Sequence, residues 1–160
     1  MKKVKRSNIW ETNSSSIHSL VVDESGLEES NLPINKDGYI VAHYGDFGRE
    51  KEIYSDQESK LSYLLSQCYY LSRLPEEDKF GKFDYGSDYG SHDYYYESIV
   101  DAVLNYDHRA KGIEIVGLEP EIDHQSIPYD GDMNLVNYWD EEDVQQFIFN
   151  KYISLKTDSD

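Results

Sequence analysis

Between Ser55 and Arg73 the apolar residues Leu61, Leu64, Leu65, Cys68, Tyr69 and Leu71 recur at the spacing that lines one face of an α-helix. Ser55 and Glu58 precede them in the Ser-x-x-Glu arrangement that satisfies the first free helix amides, and Pro75 supplies a stop because its ring removes a donor. A second helix is expected from about Tyr94 to about Arg109, with Ile99, Val100, Val103 and Leu104 inward and a close near Gly112. A third follows Asp140, Glu141, Glu142 and Asp143, whose charges suit the positive end of a helix dipole. Val144, Phe147, Ile148 and Tyr152 then fall on one face.

Alternation of period two marks strands. Residues 17 to 23 (IHSLVVD) and 39 to 44 (YIVAHY, before the turn GDFG) read as a β-hairpin or two neighbouring strands that begin the fold, and 113 to 118 (IEIVGL) as a short apolar strand. The near-repeat in GKFDYGSDYGSHD, residues 81 to 93, is rich in glycine and aspartate and predicts a loop. The tail from Lys156 to Asp160 is expected to fray. These elements predict a single α+β domain over residues 1–160, with a small, mainly antiparallel sheet and about three helices.

Composition sharpens this picture. The length of 160 residues supports one core without metal or disulfide staples, and an aromatic content of 14%, with 15 Tyr, argues for a folded chain despite its charge. The lone Cys68 sits in the apolar run YLLSQCYYL, has no second cysteine to pair with, and suits a reducing compartment. The start MKKVKR lacks the apolar stretch of a signal peptide, and no run is long enough to span a membrane, so a cytoplasmic location is expected.

Charge points to the kind of partner. The formal net charge is −17, and from Gly112 to Asn150 there are ten Asp or Glu residues and not one Lys or Arg. Lys2, Lys3, Lys5 and Arg6 form a basic arm within residues 1–10, leaving residues 7–160 at −21. Such a field rejects phosphate backbones, so direct nucleic-acid binding is disfavoured and a protein with a basic surface is favoured. The acidic, Tyr-rich stretch with Asp84, Tyr85, Asp88, Tyr89, Asp93 and Glu97 places carboxylates beside rings, an alternation that imitates phosphates and bases. Glu119, Glu121, Asp123, Asp130, Asp132, Asp140, Glu141, Glu142 and Asp143 extend this candidate partner-binding set.

Other patterns carry possible chemistry beside plainer readings. Asn13, Ser14, Ser15, Ser16 and His18 could cradle a phosphate or set a Ser beside a His base, although the same residues are common turn formers. His124, with Asp123 and Ser126 beside it, follows a strand and could act as a general base, or simply be a satisfied loop histidine. Facing one another, His18 and His124 would resemble the two-histidine phosphoesterases, but only His124-Gln125-Ser126 has that spacing. Asp130, Asp132, Asn134 and Glu141 match four positions of a calcium loop, yet Leu135 stands where glycine is needed for the turn, so neither metal nor cofactor is expected.

The blocks RSNIWETNSSSIHSLVV, GDFGREKEIYSDQESKLSYLL and EIDHQS resemble an uncharacterised family of phage and mobile-element proteins of Gram-positive bacteria. The resemblance implies an origin and transfers no catalytic residue. Small acidic phage proteins often occupy the nucleic-acid channel of a host enzyme, which makes a non-enzymatic inhibitor of anti-CRISPR or other anti-defence type the leading expectation. A small hydrolase or nucleotide-binding protein using His18, His124 and Ser126 is the alternative.

Overall fold

A computed structural model describes residues 17–21, 26–49, 52–86, 94–122, 136 and 140–158, with 17–21 and 156–158 as backbone. Helix α1 (Gln57–Leu71) takes Asp56 rather than Ser55 as its cap, and the Asp56 carboxylate accepts from the Ser59 amide at 2.8 Å. Its charge also favours the positive helix end, which explains its advantage over a hydroxyl one residue earlier. The helix stops before Pro75: Ser72 turns extended while its amide still donates to the Cys68 carbonyl at 2.8 Å. Pro75 instead opens a 3-10 turn, Glu76–Lys79.

Helix α2 (Tyr94–Tyr106) buries Tyr96, Ile99, Val100, Val103 and Leu104, the face its spacing predicts. Helix α3 (Glu141–Phe149) is capped by Asp140, which accepts from the Asp143 amide at 3.3 Å, and buries Val144, Phe147 and Ile148. Tyr152, expected on that face, lies beyond the helix and is exposed, because Asn150 turns the chain into extended backbone.

Among the described residues eight short strands form three small sheets, and most of their pairings are antiparallel. The first has the order β1 (Ile17–Val21), β8 (Ser154–Asp158), β4 (Glu52–Tyr54), antiparallel throughout. The second has the order β2 (Tyr39–His43), β6 (Gly112–Val116), β5 (Gly81–Asp84), parallel and then antiparallel. The third pairs β3 (Asp46–Phe47) with β7 (Glu121–Ile122) in parallel.

Three expectations are corrected. β1 and β2 are not neighbours: β1 pairs with β8, a contact between distant parts of the chain that no local turn specifies. Residues 81–84 are a strand, because Phe83 enters the core opposite Ile113 while Lys82 and Asp84 face out. Lys156–Asp158 do not fray but complete β8, which gains ladder hydrogen bonds from β1 and β4 on both sides.

The core lies between the second sheet and the helices. Ile40, Ile113 and Phe83 form one cross-strand row on the inner face, with Ile115 in the next, and all four are buried. Cys68 is buried there as well. No helix among the described residues is long and apolar enough to cross a membrane.

One charged group sits within this core. Lys60 of α1 is fully buried, and its Nζ donates to the carbonyls of Asn150 at 2.9 Å and Ile153 at 3.2 Å, just past the end of α3. Helix ends leave carbonyls without intrahelical donors, and an ammonium is favoured at the negative end of the dipole. Burial nonetheless lowers the Lys60 pKa to about 8, with Asp56 and Glu28 opposing the shift.

Two outcomes follow from Lys60. Lys60→Ala removes the ammonium donor from the buried Ile153 carbonyl, while the Asn150 carbonyl keeps the Ile153 amide at 3.1 Å, and should destabilise the fold by about 2–4 kcal/mol in chemical denaturation. Because the folded-state pKa is below the ordinary 10.5, the folded protein releases this proton before the unfolded chain does. The unfavourable contribution of the charge is therefore full below pH 8 and is relieved as pH rises towards 10.5. Wild type should gain stability relative to Lys60→Met over that window; a constant difference would show that Lys60 does not titrate there.

Candidate functional site

Described acidic candidates fall into three groups. In the first, Asp84 ends β5 and the turn at Tyr85 and Gly86 is pinned to α2, the Gly86 amide donating to Asp101 Oδ1 at 3.1 Å. Tyr94, Glu97 and Asp101, spaced three and four apart, share one face of α2, so the two ends of the Tyr-rich stretch carry carboxylates and rings together. Tyr85 and Tyr94 are about half exposed, at 55% and 52%. Asp84 also serves the fold: it accepts from the Tyr39 hydroxyl at 2.6 Å, and the ammonium groups of Lys82 and Lys111 lie 5.0 and 5.1 Å from the Tyr39 ring centre.

The second group stands where the parallel strands part. Tyr44 and Gly45 separate β2 from β3, whereas Gly117, Leu118, Glu119 and Pro120 separate β6 from β7, so one parallel ladder carries two extra residues on one side. The rejoining is held by the Glu121 amide, which donates to the Gly45 carbonyl at 3.1 Å, and by the Gly45 amide, which donates to Ser66 Oγ at 2.9 Å. Gly117, with φ of +100°, makes the turn that starts the bulge. The bulge projects Leu118, 86% exposed, and the exposed Glu119.

Tyr70 donates to the Pro120 carbonyl at 2.7 Å and is itself 40% exposed. The phenol of neighbouring Tyr69 is raised above its ordinary range by burial first, then by the negative charge of Glu119 and Glu76. Glu121 forms an ion pair with Arg49. A cavity of about 270 Å³ opens at the same break, lined by polar His43, Asp46, Glu58, Ser59 and Ser62 and by apolar and aromatic walls.

The third group is the first turn of α3. Asp140, Glu141 and Glu142 are exposed, and Glu141, Glu142, Gln145 and Gln146 border an open groove of about 430 Å³ with Leu27, itself 45% exposed. Glu141 also accepts from Gln145 Nε2 at 3.1 Å, an i to i+4 contact along the helix.

Basic side chains are distributed differently. Nine are described, and seven of them are engaged within the molecule. Lys60 and Lys79 are buried, Lys79 donating to the Tyr69 carbonyl at 2.7 Å. Arg109 pairs with Asp107 at 2.7 Å, Arg49 with Glu121, and Lys151 with Glu28 at 3.9 Å, while Lys82 and Lys111 lie against Tyr39. The Asp107 carboxyl is lowered below its ordinary range: burial opposes this, but hydrogen bonds from Arg109 and Ser30 prevail.

Asn13, Ser14, Ser15, Ser16, Asp88, Tyr89, Asp93, Asp123, His124, Ser126, Asp130 and Asp132 lie outside the described residues. His18 belongs to β1, opposite Thr157 of β8. Sequence reasoning missed His43, Asp46, Glu58, Tyr70 and Leu118. The turn GDFG after a strand was the available signal for the first two, and none marked the others. Among the described residues no group of three or more His, Cys, Asp or Glu is placed to hold a metal ion. No protein family matches this chain, and no curated protein or solved structure matches it.

Two substitutions check this geometry. The Tyr39 phenol is raised chiefly by its hydrogen bond to Asp84, so Asp84→Asn should return its titration, followed by NMR, towards the ordinary range. A side chain at Gly45 would bring Cβ to 2.7 Å from the Phe47 ring and 2.9 Å from Ser62 Oγ, so Gly45→Ala should lower stability by about 1–3 kcal/mol in a denaturant titration.

Proposed function

We propose that this chain is a non-enzymatic acidic inhibitor that binds a basic, nucleic-acid-binding surface of a host enzyme in the host cytosol, of the anti-CRISPR or other anti-defence type. The observation that carries the reading is the unequal placement of charge. Seven of the nine described basic side chains are engaged within the molecule, Arg49 with Glu121 among them, whereas Glu119, Asp140, Glu141 and Glu142 remain exposed. A net charge of −17 with this arrangement steers a basic surface in and keeps nucleic acid off.

Exposed rings and aliphatic groups among the carboxylates suit contact as well as steering. Tyr85 and Tyr94 flank Asp84 and Glu97, Tyr70 and Leu118 flank Glu119, and Leu27 lies beside Glu141 and Glu142. Aromatic anchors inside a charged rim are how interfaces combine affinity with orientation. The resemblance of the sequence blocks to phage and mobile-element proteins supports a host enzyme as the target.

The test is a pull-down from host lysate at low and high salt, before and after nuclease treatment. The expected result is a nucleic-acid enzyme retained at low salt, lost at high salt and unaffected by nuclease. Glu119→Gln, Glu141→Gln and Glu142→Gln together should weaken its capture roughly tenfold, at about 0.5 kcal/mol for each exposed charge. Retention that is equal in high salt would contradict the proposal.

A further inference from the structure

We infer that the cavity at the break of the parallel ladder receives a guanidinium group, the side chain of an arginine on the basic partner; this rests on the partner reading above and identifies one anchor within it. Its mouth carries two carboxylates from different elements, Asp46 of β3 and Glu58 of the first turn of α1. Both residues are exposed, and neither carboxylate is held by a hydrogen bond or ion pair among the described residues. Ser59 and Ser62 add hydroxyl acceptors from α1, one turn apart, and His43 ends β2 beside the bulge, its Nδ1 3.2 Å from where a Cβ on Gly117 would stand.

The walls choose among cations. Phe47 and Tyr54 meet edge to face with ring centres 5.2 Å apart, and Leu32, Val41 and Leu61 complete an apolar lining. A guanidinium is planar, weakly hydrated and able to stack on a ring while its edge donates to two carboxylates, which a compact, strongly hydrated ammonium does less well. An anion would meet two carboxylates and no lysine or arginine in the lining. A metal ion would need three ligating groups together, and none are so placed among the described residues. A volume of about 270 Å³ is ample for one arginine side chain and is set at the carboxyl ends of parallel strands, where α/β architectures commonly place ligands.

The anchor is testable without the partner. In an NMR titration of the full chain at constant ionic strength, N-acetyl-arginine amide should produce saturable shifts at His43, Gly45, Asp46, Ser59 and Ser62. N-acetyl-citrulline amide, the neutral isostere, should bind roughly tenfold more weakly, and so should arginine amide to the Asp46→Asn, Glu58→Gln protein. Both substituted residues are exposed, so the variant should keep the wild-type fold, checked by the same spectra. An equal response to citrulline, or shifts centred on α3 instead of the cavity, would overturn the inference. If the lysate partner is captured by this variant as well as by wild type, the cavity is not its anchor, while the acidic-inhibitor reading stands; if no partner is captured by either protein but arginine amide still binds the cavity, the guanidinium site stands and the partner reading fails.

Discussion

The ammonium of Lys60, buried between α1 and the end of α3, is the contact on which the arrangement of this molecule turns. It satisfies the Asn150 and Ile153 carbonyls at the point where the chain leaves α3 and turns into β8. Asn150 is itself fully buried: its Oδ1 accepts from the Tyr152 amide at 2.9 Å and its Nδ2 donates to Gln146 at 3.0 Å. A turn that exposes carbonyls to an apolar core is costly unless donors meet them, and an isolated buried charge costs more still. Here the amine meets the carbonyls' need for a donor, while burial still disfavours its charge and holds its pKa down at about 8. β8, the central strand of the first sheet, begins at the residue after Ile153, Ser154.

The same economy of charge shapes the surface. Lys60 and Lys79 are drawn inside, and Arg109, Arg49 and Lys151 are matched to particular carboxylates. Such pairs cancel charge one for one, so the net charge of −17 is carried by acids without a matched cation. They stand beside exposed rings and aliphatic groups, at the ends of the Tyr-rich stretch, at the bulge and at the start of α3. A fold can be stabilised by its cations and present an anionic exterior through one and the same distribution of residues.

Elements governed by local periodicity were legible in the sequence. The buried face of α2 and the acidic start of α3 agree with it residue by residue, because helical spacing and capping are determined by near neighbours. The cap of α1 shifted by one residue because Asp56 and Ser55 are both competent and the carboxylate wins. What local pattern could not supply was pairing between distant segments. β8 reads as a polar tail, LKTD, until β1 and β4 supply its partners, and β5 has a single buried residue, Phe83. The cavity was illegible for the same reason, since His43, Asp46 and Glu58 meet only when the parallel ladder packs against α1. Charge density, by contrast, marked Glu119, Glu121 and the α3 turn directly.

The interrupted ladder links these observations. Two extra residues between β6 and β7 project Leu118 and Glu119 outward, and where β2 gives way to β3 on the neighbouring strand His43, Gly45 and Asp46 line the cavity. Irregularities of this kind often stand where a sheet does something other than hold itself together. The proposed function requires this acidic exterior and a nucleic acid to compete for one basic surface. The direct measurement is fluorescence anisotropy of a labelled nucleic acid bound to the captured enzyme as the protein is added at fixed ionic strength. Stoichiometric displacement is expected, with an apparent affinity that falls steeply as salt is raised. A ternary complex in which the nucleic acid stays bound would contradict it.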